Sequence, residues 1–113
     1  MSGGMGKKVA GKYFRDILSS LNECEVQLQK DPRVGRQVVG GWYHDHTITI
    51  RNRPDRDNMV LSLIHEALHH LYPDTEEYDC DGEGIDLLAR QLFCTFSTDQ
   101  LKQLEYYLQK RRG

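Results

Sequence analysis

Asp57-Asn58-Met59-Val60-Leu61-Ser62-Leu63-Ile64-His65-Glu66-Ala67-Leu68-His69-His70-Leu71 is the stretch on which the reading of this chain turns. Its apolar positions, Met59, Val60, Leu61, Leu63, Ile64, Ala67, Leu68 and Leu71, fit a mostly buried helix, with Asp55 or Asp57 as its cap after the break at Arg53-Pro54-Asp55. Tyr72-Pro73-Asp74 stops it. Inside the helix lies His-Glu-x-x-His. Residues four apart on a helix differ by only about 40° around the axis and lie one turn apart, so the imidazoles of His65 and His69 can converge on one ion. Glu66 points about 100° away from His65, which sets its carboxylate beside such an ion as a proton acceptor rather than a ligand. His70 follows directly and projects away from that axis, as a partly exposed helix residue.

Outward from this helix, the pattern alternates between elements. Tyr13, Phe14, Ile17, Leu18, Leu21 and Leu28 recur at spacings of three, four and seven, which predicts one amphipathic helix from Tyr13 to Lys30, ended by Asp31-Pro32. Val34 to His44 is rich in β-branched and aromatic residues, and His46 to Arg51 alternates Ile48 and Ile50 with Thr47 and Thr49, which predicts a hairpin. Its turn falls at Gly40-Gly41 or at His44-Asp45. His44 and His46 are expected to pack on the strand rather than bind a metal. Thr75 to Gly82 is acidic and reads as a loop. A helix follows from Glu83 to Phe96, with Ile85, Leu88, Leu92 and Phe96 on one face. Ser97-Thr98-Asp99-Gln100 is a capping box that opens a last helix through Leu101, Leu104, Tyr107 and Leu108. The expected fold is therefore α+β: an N-terminal helix, a small antiparallel sheet or hairpin, the His-Glu-x-x-His helix, a glutamate helix and a C-terminal helix.

The 113 residues are 38% hydrophobic and 28% charged, the balance of one globular domain spanning 1–113, with residues 1–10 expected to be flexible. So short a chain has no room for a separate recognition domain, and a site must be built on the core helices. A formal charge of -2 carries no footprint of nucleic-acid or anionic-membrane binding. The expected partner, a peptide or protein substrate, follows from the His-Glu-x-x-His pattern and not from the charge. Cys24, Cys80 and Cys94 form no Cys-x-x-Cys pair, which fits a reducing cytoplasm better than a disulfide framework or a thiolate zinc site. There is no secretory-type apolar run at the start and no stretch of membrane-spanning length.

A catalytic Zn2+ takes three protein ligands and leaves one position open, so a third ligand must join His65 and His69. Glu76, Glu77, Asp79, Asp81, Glu83 and Asp86 all lie within reach of a returning helix. Glu83 is preferred because a ligand on a packed helix is held more firmly than one on a loop. Tyr72 and Tyr78 offer hydroxyls near the motif that could stabilise an oxyanion, although helix-end packing or loop exposure is their simpler role. Cys80 could cap the metal in an idle state, and an inert thiol is again the simpler reading.

His65-Glu66-Ala67-Leu68-His69-His70-Leu71-Tyr72-Pro73-Asp74, with Glu83-Gly84-Ile85-Asp86-Leu87-Leu88-Ala89, resembles the minimal gluzincin metallopeptidases, or minigluzincins, and is similar to the core of SprT-like peptidases. The resemblance covers about a third of the chain. It implies zinc at His65 and His69, a catalytic glutamate at Glu66, and a glutamate ligand on the next helix, which maps to Glu83. The acidic loop Thr75 to Gly82 is longer than the compact family pattern and keeps Glu77 as a rival. The resemblance also implies a small sheet with an exposed edge strand, and a latent form masked by the chain itself, here by the C-terminal helix and Lys110 to Gly113. The expected activity is zinc-dependent hydrolysis of peptide bonds by metal-activated water with Glu66 as general base, on a substrate paired to the edge Thr47 to Arg51. The competing expectation is a zinc-stabilised interaction module that does not cleave.

Overall fold

Alternating apolar positions Ala10, Phe14, Ile17 and Leu21 turn one face of the first helix, α1 (Lys7–Glu23), into the core. The structure, a computed structural model, describes residues 6–73 and 84–110. Lys7 to Ala10 form the first turn of α1, and Ala10 is buried.

The helix does not run on to Lys30. It ends at Cys24, whose backbone is extended, and Glu25–Gln29 is a strand, β1. Leu28 lies seven residues after Leu21 and so fitted the helical stripe. Glu25-Val26-Gln27-Leu28-Gln29 also alternates polar with apolar, and Val26 and Leu28 gain partners in Ile48 and Ile50. That pairing is parallel and joins positions more than twenty residues apart, so tertiary contact rather than local propensity decides it.

A small hairpin follows, β2 (Arg33–Val34) with β3 (Gln37–Val38), turning at Gly35, whose φ is +65°. β4 (Gly41–His44) and β5 (Thr47–Arg51) form the second hairpin. Its turn is Asp45-His46, both in the left-handed region with φ of 49° and 63°, the geometry of a type I′ turn. Neither expected turn position is therefore the true one, although His44-Asp45 misses it by a single residue. The main sheet has the order β1-β5-β4 and is mixed rather than purely antiparallel. β5 is its central strand. Thr47 to Arg51 is thus bonded on both sides and offers no edge to a substrate, because β1 takes the position that a lone hairpin would have left open.

Asp55 caps α2 (Arg56–Leu71), accepting a bond from Asn58 N at 3.2 Å. α2 is the central element, packed on α1, on β4 and β5, and on the two later helices, α3 (Ile85–Thr95) and α4 (Thr98–Lys110). Leu63, Ile64, Ala67 and Leu68 of α2 join Ile48, Ile50, Leu92 and Leu104 in one core, with no exposed surface on any of them. Burial of each large side chain here is worth roughly 1.5–3 kcal/mol. Phe96 closes α3 against Phe14 edge to face, 5.4 Å between centroids. The capping box is formed: Ser97 N donates to Gln100 Oε1 at 2.8 Å and Gln100 N donates to Ser97 Oγ at 3.1 Å. The fold is α+β. Among the described residues no helix is long and apolar enough to cross a membrane.

Candidate active site

His65, Glu66 and His69 stand on the side of α2 that faces β4, because Leu63, Ile64, Ala67 and Leu68 commit the rest of that helix to the core. A cleft of about 570 Å³ separates the two elements, with Gly41 to Asp45 along one wall and His65, Glu66 and His69 along the other. Val34 and Val39, at either end of the β2–β3 hairpin, reach its rim. Glu66 is buried at 6% exposure beneath the strand. Gly41 permits this approach: a Cβ there would stand 3.1 Å from Ile50 Cδ1 and from Thr49 O, and 3.4 Å from Glu66 Cγ.

The two imidazoles meet. His65 Nε2 and His69 Nε2 are 3.1 Å apart, with ring centroids at 4.8 Å. Two nitrogens on one tetrahedral zinc, each about 2.0–2.1 Å from it, are separated by about 3.3–3.4 Å, so the pair fits a common ion with little movement. Without a metal the same contact is a hydrogen bond in which one ring donates. Behind His65, Asp86 Oδ1 lies 3.5 Å from Nδ1, at ion-pair distance, while Asp86 Oδ2 accepts from Arg90 Nε at 3.0 Å. A carboxylate behind a ligating histidine fixes its ring orientation and leaves the other nitrogen for the metal. Burial pushes the His65 imidazole below its ordinary pKa, and the neighbouring His69 adds to this while Asp86 opposes it. The neutral ring that results is the form that binds metal.

Third ligands are a different matter. Glu83, its rival Glu77, and Tyr78 and Cys80 lie outside the described residues. Asp86, another of the downstream acids, stands at the back of His65. Among the described residues there is no cluster of three His, Cys, Asp or Glu side chains placed to hold an ion. The structure brings His65 and His69 together, with the buried carboxylate of Glu66 on the same helix next to them.

His70 is partly exposed, as expected, and is engaged as well. Its side chain is only 11% exposed. Nε2 sits 2.9 Å from Glu23 Oε1 and Nδ1 2.8 Å from Tyr43 Oη. A carboxylate only accepts, so Nε2 carries the proton in the neutral ring and Nδ1 accepts from the Tyr43 hydroxyl. This chain ties the C-terminal end of α1, α2 and β4 together, and the ring of His46 packs on His70 at 5.1 Å. Sequence reasoning missed Tyr43 and the part played by Gly41, named only as a possible turn; Asp86 was among the acids weighed as a third ligand, and the structure sets it behind His65 instead. Tyr72 is exposed, and its hydroxyl is raised in pKa by the burial it does have and by its contact with Tyr13 of α1. Burial, with Glu23 adding to it, pushes the Cys24 thiol up to about 11, so it is inert at neutral pH.

Comparisons of the chain with protein-family models, with curated proteins and with solved structures found no match.

Proposed function

We propose that the protein is a zinc-dependent peptidase of the minimal gluzincin type, working in the cytoplasm on peptide substrates. The observation that carries the reading is the 3.1 Å approach of His65 Nε2 to His69 Nε2, one residue from the buried Glu66 and on the wall of an open cleft. His65, His69 and Glu83 would hold the ion. Bound zinc supplies Lewis acidity, lowering the pKa of water toward about 7 and polarising the scissile carbonyl.

The chain's own groups do the rest. Asp86 holds the His65 ring by its Nδ1 edge. The Glu66 carboxylate takes a proton from the attacking water as its oxygen adds to the carbonyl carbon, then hands that proton to the amine nitrogen as the C–N bond breaks. Peptide and water are consumed, and a free carboxyl and a free amine remain. β4 supplies the edge along which an extended substrate can lie, a role first expected of Thr47 to Arg51.

The test pairs elemental analysis with turnover. Zinc at one equivalent per chain is expected in the purified protein and in Glu66→Gln, with hydrolysis of a generic peptide lowered about 10²–10⁴-fold in that variant. Glu83→Ala is expected to lose the metal and Glu77→Ala to keep it. An unchanged rate in Glu66→Gln removes the assigned role. Zinc retained with no hydrolysis in the unmodified chain leaves a zinc-stabilised interaction module.

A further inference from the structure

β4 lies at one end of the strand order and borders the cleft that holds the histidine pair. In the β4–β5 hairpin Arg51 N donates to Gly40 O at 2.8 Å, which makes Gly40 and Arg51 a hydrogen-bonded pair. Bonded and non-bonded pairs alternate along an antiparallel ladder, so Trp42 with Thr49 and His44 with Thr47 are bonded pairs too. The N–H and C=O groups of Trp42 and His44 therefore point into the sheet, and those of Gly41 and Tyr43 point to the free edge. No hydrogen bond joins the Gly41 or Tyr43 backbone to another described residue on that side.

Side chains alternate as well. Gly41 and Tyr43 share the face of Ile48 and Ile50, toward α2, where Tyr43 meets His70. Trp42 and His44 share the opposite face, stacked with their rings 5.9 Å apart at 27°. Trp42 is half-buried beside Thr49, and His44 is exposed. Both line the cleft that holds His65, Glu66 and His69.

A peptide that bonds to Gly41 and Tyr43 as an antiparallel strand sets the residue between its two bonded positions directly opposite Trp42. That is a non-bonded pair, the closer of the two kinds, with Cα atoms about 4.5 Å apart. Its side chain must stand on the face that Trp42 and His44 occupy. We propose that Trp42, extended by His44, forms a subsite selecting an aromatic side chain on an extended peptide bound along β4. An aromatic ring gains edge or offset contact with the indole there, and an alanine gains almost none. The proposal rests on reading the cleft as a peptide site, but not on cleavage.

The experiment uses the full chain carrying Glu66→Gln, with and without added zinc, and terminally blocked heptapeptides of alternating threonine and valine with phenylalanine or alanine at the centre. Trp42 is the sole tryptophan, so its emission reports contact directly. The phenylalanine peptide is expected to bind about tenfold more tightly than the alanine one and to shift the emission to shorter wavelength. Methylating the peptide amides that face Gly41 and Tyr43 should abolish binding. Trp42→Thr should level the two peptides, measured by calorimetry, and Trp42→Leu guards against a folding failure by keeping an apolar preference. Equal affinity of the two peptides in the Glu66→Gln chain, no binding of either, or a tenfold preference that survives Trp42→Thr overturns the subsite. Preference without hydrolysis by the unmodified chain leaves the subsite standing and sinks the peptidase reading. Hydrolysis without preference does the reverse.

Discussion

Asp86 shows how a single carboxylate serves two purposes. On the first turn of α3 it favours the positive end of the helix, an effect of about 0.3–1 kcal/mol, and through Oδ1 it also reaches His65 Nδ1. Only the second would bear on an ion held by His65. Asp86→Asn keeps the size of the side chain and removes its charge, so thermal stability should fall by no more than about 1 kcal/mol. Zinc affinity should fall about 10–100-fold, the usual effect of losing such a supporting partner. Competition against a chromophoric chelator measures it, and unchanged affinity with lowered stability would assign Asp86 to the helix alone. That the rings of His65 and His69 meet was legible in the sequence, because helical spacing alone brings residues four apart together. Asp86 as the support of His65 and His70 as a joint were not, since the partner of the first comes from α2 and those of the second from α1 and β4, and no local pattern encodes such meetings.

At the scale of elements, α2 and the capping box of α4 could be read because both rest on contacts within a few residues. β1 could not, because its alternation competes with a helical stripe and only the parallel pairing to β5 settles it. The turn of the second hairpin lies between these cases. Asp45 and His46 both hold positive φ, a conformation costing roughly 1–2 kcal/mol for an ordinary L-residue and less for Asp, yet the register of Trp42, Tyr43 and His44 depends on it. His46→Gly should relieve that strain. Its ring contact with His70 is lost at the same time, so the net gain is about 0.5–1 kcal/mol, seen as a melting temperature higher by a few degrees. A lower melting temperature would mean that packing of His46 on His70 outweighs the backbone strain. Glycines at 40 and 41 drew attention to the wrong turn, since Gly41 is needed for closeness to Glu66 rather than for φ.

For the molecule as a whole, the question is what the last helix does. A family-like latent form would have the C-terminal helix over the cleft, but Leu104 and Leu108 of α4 are 0% and 1% exposed in the common core, and α4 packs on α2, α1 and β1. None of its described residues lines the cleft. Leu108 instead borders a separate cavity with Leu28 and Met59. An element that contributes fully buried leucines cannot be lifted away without opening the core. Replacing one such leucine by alanine costs about 2–5 kcal/mol, against a total of about 5–15 kcal/mol for a domain of this size. Ending the chain at Phe96 removes Leu101, Leu104, Tyr107 and Leu108 together, and should therefore unfold the protein rather than release activity. Far-UV circular dichroism and dye binding to exposed apolar surface read the outcome. A truncated chain that melts cooperatively near the original temperature would show α4 to be a detachable cover, and the core would then have to close around α1, α2, α3 and the sheet alone.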